Sequence, residues 1–213
     1  MKFFNIITLA SLVTAVPQFR RQQKVTGTIK GSVDTLADTA LTTLTQIDNA
    51  VAAIQNATRA QASAQVQASV GTSIQAITDA LEAATTEIVR VTTGAVGNVG
   101  GQAVGLVERD VVQLTAALRQ IIGTLDGILN TVSSVTGDLT PEVLATIEAE
   151  LNALRGAINP LVRPLLLFTA AVRNAAGSVV GGAVRGLESA FVNLIGLQRE
   201  LVSAIGVPRI GGI

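Results

Sequence analysis

The chain contains no cysteine, histidine, tryptophan or tyrosine, and phenylalanine is its only aromatic residue type. Without histidine and cysteine, it lacks the commonest proton shuttle and metal ligand as well as the thiol nucleophile. Without tryptophan and tyrosine, and with few phenylalanines, it also lacks the aromatic platforms on which nucleic-acid bases stack. These absences argue against an enzyme, against a metal or cofactor site, and against a protein that binds nucleic acid.

The first residues are typical of an export signal. A positive start at Met1-Lys2 precedes an apolar segment, residues 3–13, and small residues follow up to Ala15. This order predicts signal-peptide cleavage after Ala15, and the apolar segment is too short to span a membrane. The dibasic pair Arg20-Arg21 predicts a second cut that ends a short pro-segment, residues 16–21. We therefore expect a secreted protein, extracellular or in the cell wall; the alternative is an ordinary buried N-terminal helix.

The net charge is small and does not suggest a charged ligand. The whole chain has 15 basic and 15 acidic residues, and removal of Lys2, Arg20 and Arg21 leaves a mature charge of −3. No basic stripe is evident, so neither nucleic acid nor electrostatic attraction to anionic lipid is expected. The sequence predicts that charge does not drive binding.

Apolar residues alternate steps of three and four along most of the chain, which keeps each apolar stripe on one face of a helix. This periodicity predicts an all-α fold, an antiparallel bundle of about five amphipathic helices, some of them long, with two glycine-rich breaks. We expect one helical domain over residues 22–205 and a flexible tail over 206–213. The longest stripe has four heptads: Val104, Val107, Val111, Leu114, Leu118, Ile121, Leu125, Ile128, Val132 and Val135.

Several local signals predict where helices begin and end. A polar, alanine-rich segment predicts a turn near residues 56–59, and residues 133–138 interrupt the longest stripe. Thr140-Pro141-Glu142 is typical of a helix N-terminus, with a hydroxyl cap, proline at the first position and an acid in the first turn. Asn159-Pro160 and Arg163-Pro164 predict a break or kink, because proline removes a helical hydrogen bond.

Glycines spaced by four residues occur in two apolar stretches. On a helix, this spacing clears one face and permits close packing, and the stretches are then candidate hinges that open to expose the core. The other interpretation is a loop or a costly helix start, since each interior glycine loses about 1 kcal/mol relative to alanine. The residues concerned are Gly97, Gly101, Gly105, Gly177, Gly181, Gly182 and Gly186.

Asn56-Ala57-Thr58 is an N-glycosylation sequon in a predicted turn, so Asn56 is a candidate glycosylation site. Three pairs of nearby acids raise the question of catalysis: Asp34 with Asp38, Glu108 with Asp110, and Glu148 with Glu150. Residues two apart do not face each other on a helix, and no serine stands in a nucleophile-elbow context. We assign no catalytic, cofactor-binding or metal-binding residue.

The predicted core consists of Val, Ile, Leu and Ala with few aromatics. If helices with such small side chains leave a slot, it would accept an acyl chain at about 0.8 kcal/mol per buried methylene. If the bundle opens at a water–solid boundary, the same stripes would adhere to the solid. The sequence leaves both possibilities open.

The chain resembles the fungal hydrophobic surface binding protein A family, also called cell wall galactomannoproteins. The resemblance covers most of residues 24–205 and rests on the short signal, the dibasic junction, the absence of cysteine and the Ala-, Thr-, Val- and Leu-rich helices. Residues 35–44, TLADTALTTL, and residues 147–154, IEAELNAL, carry it best. The resemblance implies a secreted helical bundle that is located at the cell wall and that adheres to hydrophobic surfaces or binds fatty-acid-like lipid. It carries over no catalytic or ligand residue.

Two classes of function therefore remain. The first is a non-enzymatic protein whose partner is a hydrophobic surface or lipid. The second is a structural or self-associating cell-envelope protein, a homo-oligomer joined through the heptads of residues 104–135. A secreted effector is a further alternative without a supporting residue.

Overall fold

The computed structural model describes the backbone of residues 4–54, 59–93, 107–175 and 181–206, and the side chains of residues 25–54, 62–93, 107–174 and 183–204. These residues are helical almost throughout. The elements are α1 (Phe4–Ile54), α2 (Arg59–Gln65), a π-helix (Val66–Gly71), α3 (Thr72–Thr93), α4 (Glu108–Asp138), α5 (Pro141–Leu144), a 3-10 helix (Ala145–Ile147), α6 (Glu148–Ala175) and α7 (Gly181–Gly206).

The predicted all-α bundle is confirmed. The principal helices form a closed ring: α1 packs against α3 and α4, α3 also packs against α6, and α7 lies between α4 and α6. Each amphipathic helix can turn its apolar stripe towards the centre of such a ring, which is why stripes of similar width occur on all of them. Among the described residues, no helix is long and apolar enough to cross a membrane.

The ring contains two antiparallel hairpins, α1–α3 and α6–α7. In the second hairpin, Gln198 bonds Asn159 and Arg173 lies near Glu188, so higher numbers on α6 meet lower numbers on α7. The connection from α1 to α2 spans only residues 55–58. Since α1 and α3 pack along their lengths, they also run in opposite directions.

Helix α4 stands between the hairpins and runs parallel to both of its neighbours. At one end, Thr26 of α1 contacts Asp110, and further along, a Cβ on Gly127 would lie 3.2 Å from Cδ1 of Leu44. On the other side, Gly186 of α7 lies beside Thr115. The antiparallel packing predicted from the sequence therefore holds within the two hairpins, whereas α4 packs parallel to its neighbours because the chain crosses the end of the bundle before and after it.

One continuous aliphatic core fills the ring. Phe168 is wholly buried, and the side chains around it are mostly Val, Ile and Leu. The largest fully buried side chains come from every principal helix except α7: Phe168, Ile29, Leu36, Ile47, Ile74, Ile77, Leu81, Ile88, Leu114, Leu118, Ile121 and Leu125. From α7, Leu187, Leu194 and Leu201 are buried as well.

Two predicted boundaries are confirmed. Helix α1 ends at Ile54 and α2 begins at Arg59, which confirms a helix boundary there, while the predicted turn itself falls on residues 55–58, outside the described residues. Thr140 is the N-cap residue of α5 and Pro141 occupies the first turn, although the Thr140 side chain makes no capping hydrogen bond.

Two other boundary predictions are wrong. Helix α4 continues to Asp138, because Val135 is buried in the core and continues the apolar stripe beyond Ser133. Helix α6 continues through Pro160 and Pro164, so of the predicted break or kink the break is wrong. Interior proline costs about 3 kcal/mol, but buried side chains on both sides of the prolines keep helical spacing, and their burial offsets that cost.

The predicted glycine-rich breaks are only partly within the described structure. Gly97, Gly101, Gly105 and Gly177 lie outside the described residues, as do Asn56 and most of the predicted tail. Gly181, Gly182 and Gly186 belong to α7. The second glycine-rich stretch is therefore helical over these three residues rather than a break along its whole length.

Candidate functional site

The first pair of acids, Asp34 and Asp38, lies on the outer surface of α1. Both carboxylate oxygens of Asp34 accept hydrogen bonds from Lys30 Nζ, at 2.8 and 2.6 Å, in an exposed ion pair one turn apart. Asp38 is exposed on the same helix. Within the ranges that the structure describes, no three acidic, histidine or cysteine side chains are grouped as metal ligands.

Asp110 has a structural role at the start of α4. Its side chain is 2% exposed, and its Oδ2 accepts the backbone N–H of Val107 at 3.1 Å, which satisfies a donor at the helix N-terminus. The hydroxyl of Thr26 can donate its proton to Asp110 Oδ1 at 3.3 Å or to Gln113 Oε1 at 3.2 Å. These contacts fix the register between α1 and α4. Glu108 is exposed and does not belong to this cluster.

Glu150 lies against the π-helix. A Cβ on Gly71 would come within 3.3 Å of Ile147 Cγ2 and 3.7 Å of Glu150 Oε1, so glycine permits the close approach of α6 there. Glu150 Oε2 is buried and has no hydrogen-bond partner in the described part of the chain, while Glu148 is exposed. The two carboxylates therefore occupy different environments and do not act on a common point.

The heptad stripe of α4 is used inside the chain. From Val111 to Val135 its members are at most 4% exposed, because they pack into the common core. They cannot at the same time form a seam with a second copy unless the bundle opens. The first members of the predicted stripe, Val104 and Val107, precede α4, and Val104 lies outside the described residues.

Gly186 packs against α4. A Cβ at this position would lie 3.6 Å from Thr115 Cγ2 and 3.8 Å from an Arg119 guanidinium nitrogen, which are ordinary contacts. A side chain as small as that of alanine would therefore fit at this contact between α4 and α7, so the packing there does not require glycine. Side chains near Gly181 and Gly182 are outside the described set.

A shallow groove of about 580 Å³ lies between α6 and α7. Leu166, Ile195 and Val202 contribute aliphatic surface to it, and Arg155 and Arg199 stand on opposite sides. A hydrogen bond of 2.6 Å from Gln198 Nε2 to Asn159 Oδ1 joins the two helices at this level. The lining contains two basic side chains and no acidic one.

The groove on the other side of α7, against α4, has the opposite charge. Asp126 and Glu200 line it together with Ile122, Val192 and Leu197, and its volume is about 450 Å³. Val192 is 65% exposed at its rim. One helix thus separates a basic groove from an acidic one.

Charge is segregated in the fold, which the sequence analysis missed. Residues 155–204, which form most of the α6–α7 hairpin, contain five arginines and two glutamates, while Glu148 and Glu150 precede them at the start of α6. The other residues with described side chains contain four basic and thirteen acidic residues. The overall net charge averages over these parts, so a count along successive segments, rather than over the whole chain, would have found the difference. Among residues 25–54, 62–93 and 107–154, the four basic residues are Lys30, Arg90, Arg109 and Arg119.

The processing residues lie on α1, ahead of the core. Ala15, Arg20 and Arg21 have helical backbone, and the first buried α1 side chain described is Val25. Cleavage after Arg21 would therefore remove none of the described core side chains.

The N-terminus tests this processing prediction. We expect the protein collected from the medium of a eukaryotic secretory host to begin at Gln22, because the signal and pro-segment have both been removed. Intact-mass measurement and N-terminal sequencing read the terminus directly, and any glycan at Asn56 adds to the mass. The double variant Arg20→Ala/Arg21→Ala should begin at Val16 instead. Retention of the wild-type chain in the cells, or a wild-type terminus ahead of Gln22, would contradict the prediction.

Comparison with known proteins gives no relative of this chain: no protein-family model, no curated protein and no solved structure matches it.

Proposed function

We propose that this protein is a secreted, non-enzymatic helical bundle that adheres to hydrophobic surfaces or binds lipid at the cell wall. The observation that carries the proposal is the shared aliphatic core of the ring, to which every principal helix contributes a stripe. The weak resemblance to the hydrophobic surface binding proteins is consistent with the same activity. The scattered carboxylates offer no competing chemistry.

Adhesion through this core requires the ring to open. Exposed large aliphatic side chains occur singly on different helices, for example Leu41 on α1 and Leu167 on α6, and single exposed side chains are ordinary on soluble proteins. The extended apolar surface faces inward. Opening would exchange helix–helix contacts for contacts with the hydrophobic surface. Each Å² of apolar area that the surface keeps from water would stabilise the bound state by about 25 cal/mol.

The topology limits how the α6–α7 hairpin can open. If α7 leaves alone, it separates from α4 and α6; if the hairpin swings as a unit, α7 separates from α4 and α6 separates from α3. Both movements part α4 from α7. We therefore place the opening seam at the contact where Gly186 lies beside Thr115.

Partition onto beads tests the proposed function. The secreted protein, mixed with octyl-coated silica, should be largely depleted from solution, whereas bare silica of the same area should remove little. Native mass spectrometry of the same sample distinguishes the two modes of binding. A small adduct lost on solvent extraction indicates a lipid slot, and an adduct-free monomer indicates surface adhesion. Equal recovery from both beads, without any adduct, would refute the proposal.

A helical bundle of similar size with a polar surface should serve as the control in the bead experiment, since it reports nonspecific loss. Sedimentation of the soluble protein over a range of concentrations tests the alternative function, in which copies of the chain associate with each other. A concentration-dependent oligomer without bead depletion would support that alternative instead.

A further inference from the structure

The α6–α7 hairpin from Arg155 onward is the basic part of the molecule, because residues 155–204 carry five arginines and two glutamates. Its arginines are Arg155, Arg163, Arg173, Arg185 and Arg199. The carboxylates Asp34, Asp38, Asp48, Asp79, Glu82, Glu87, Glu108, Asp110, Asp126, Asp138, Glu142, Glu148 and Glu150 all precede this part of the chain. Because these residues belong to other helices of the ring or to the start of α6, the protein has a marked charge asymmetry.

Three arginines and several aliphatic side chains share one face of the hairpin. On α6, Arg155, Asn159, Arg163 and Leu167 follow each other at intervals of four, so they form a continuous row along the helix. Arg199 faces this row across the groove. We call this surface the basic face, defined by Arg155, Arg163, Arg199, Leu166, Leu167 and Ile195.

The three arginines of the basic face have no hydrogen-bond or ion-pair partner within the described structure. Arg173, by contrast, lies 3.9 Å from Glu188 nearer the other end of the hairpin. Glu200 lines the opposite groove, beside Asp126. The guanidinium groups of the basic face are therefore available to an external anion.

The aliphatic members of the basic face are accessible too. Leu167 is 53% exposed, and Leu166 and Ile195 are half-buried in the groove. A surface that combines free arginines with aliphatic side chains matches a lipid interface, where phosphate oxygens accept paired guanidinium hydrogen bonds and acyl chains lie just below.

We propose that the basic face docks this protein onto bilayers containing anionic phospholipid. This inference rests on the proposed lipid affinity and names both the lipid charge and the face of the bundle that meets it. In this orientation the acidic helix α1, on the opposite side of the ring, lies away from the bilayer, and the arginines hold the hairpin, with its opening seam, near the acyl chains. The attraction of each arginine to an anionic surface decays over a Debye length, and this length shortens as salt is added. Binding should therefore weaken as the salt concentration rises.

Vesicle flotation tests the inference. The secreted protein is mixed with vesicles of phosphatidylcholine alone or with 3:7 phosphatidylglycerol to phosphatidylcholine, a roughly 30% anionic surface. We expect at least about tenfold stronger binding to the anionic vesicles at low salt, and loss of most of this preference near 1 M salt. In the variant Arg155→Gln/Arg163→Gln/Arg199→Gln, the ratio of binding to anionic over neutral vesicles should fall about tenfold or more.

A matched variant distinguishes the effect of the basic face from the effect of the total charge of the protein. The variant Lys30→Gln/Arg90→Gln/Arg109→Gln also removes three positive charges, but from outside the hairpin. It should keep most of the preference for anionic over neutral vesicles. Lys30 and Arg90 belong to exposed ion pairs, which contribute little to stability. Circular dichroism confirms that each variant remains folded, and the salt titration of the wild type needs no variant.

The outcomes distinguish this inference from the proposed function. Equal binding to neutral and anionic vesicles, with continued depletion by octyl beads, overturns docking through the basic face and leaves surface adhesion standing. Equal losses in the two triple variants overturn the assignment to this face. Binding to neither vesicles nor beads refutes both proposals. Free phosphate at low concentration is the last comparison. If it abolishes vesicle binding and also binds the protein in the absence of vesicles, the arginines form an anion site instead of a bilayer-docking face.

Discussion

Replacing Phe168 with alanine should lower the free energy of unfolding by about 3–5 kcal/mol. Phe168 is wholly buried on α6, and its neighbours are rigid parts of a continuous core that cannot fully collapse into the space left behind. For a chain of this size, the midpoint of thermal unfolding should fall by roughly 10 °C. Circular dichroism during heating and urea titration both measure the change.

The adjacent residue is the control. Leu167 is 53% exposed, so Leu167→Ala should cost less than about 1 kcal/mol. If the two variants unfold at the same temperature, the orientation of α6 in the ring is wrong. A large effect for Phe168→Ala alone confirms which face of α6 lies inside.

A disulfide between α4 and α7 should abolish most of the adhesion to octyl beads. In the double variant Thr115→Cys/Gly186→Cys, the new side chains start close together, since a Cβ on Gly186 lies 3.6 Å from Thr115 Cγ2. The chain has no other cysteine, so no competing bridge can form. The bridge prevents both movements that part α4 from α7. We expect at least about tenfold less bead depletion when oxidised, with full recovery after reduction.

A second bridge distinguishes the two movements. Gly71→Cys/Ile147→Cys joins the π-helix to the 3-10 helix before α6, where the corresponding distance is 3.3 Å. It holds α6 near α3 and leaves α7 free. Loss of adhesion with this bridge indicates that the hairpin swings as a unit, whereas unchanged adhesion indicates that α7 leaves alone. If neither bridge alters bead depletion, adhesion does not require opening at these seams.

Periodicity predicted the helices well because burial imposes it directly. The stripe from Val111 to Val135 is buried as expected, and the cap signal at Thr140-Pro141 marks a real helix start. The break predicted at Pro160 and Pro164 does not occur, for the same reason: buried side chains before and after the prolines keep the helical spacing, and packing prevailed over the local preference.

The candidate surfaces could not be predicted as readily, because they depend on which helices are neighbours. Arg155 and Arg199 are 44 positions apart in the sequence, and only the α6–α7 pairing brings them to one groove. Helical spacing alone relates Arg155 to Arg163, but not to Arg199. The net charge of the chain conceals the basic face, since acids on other helices cancel it in the sum.

The parallel placement of α4 has a consequence for the order of folding. The contact from Thr26 to Asp110 closes a loop of 84 residues, whereas each hairpin brings together segments that are nearer in sequence. Loop closure grows costlier with length, and topologies rich in distant contacts fold more slowly than those with local ones. We therefore expect the two hairpins to form early and α4 to dock between them in the rate-limiting step. The helix that completes the ring would then be the last to acquire its native neighbours during folding.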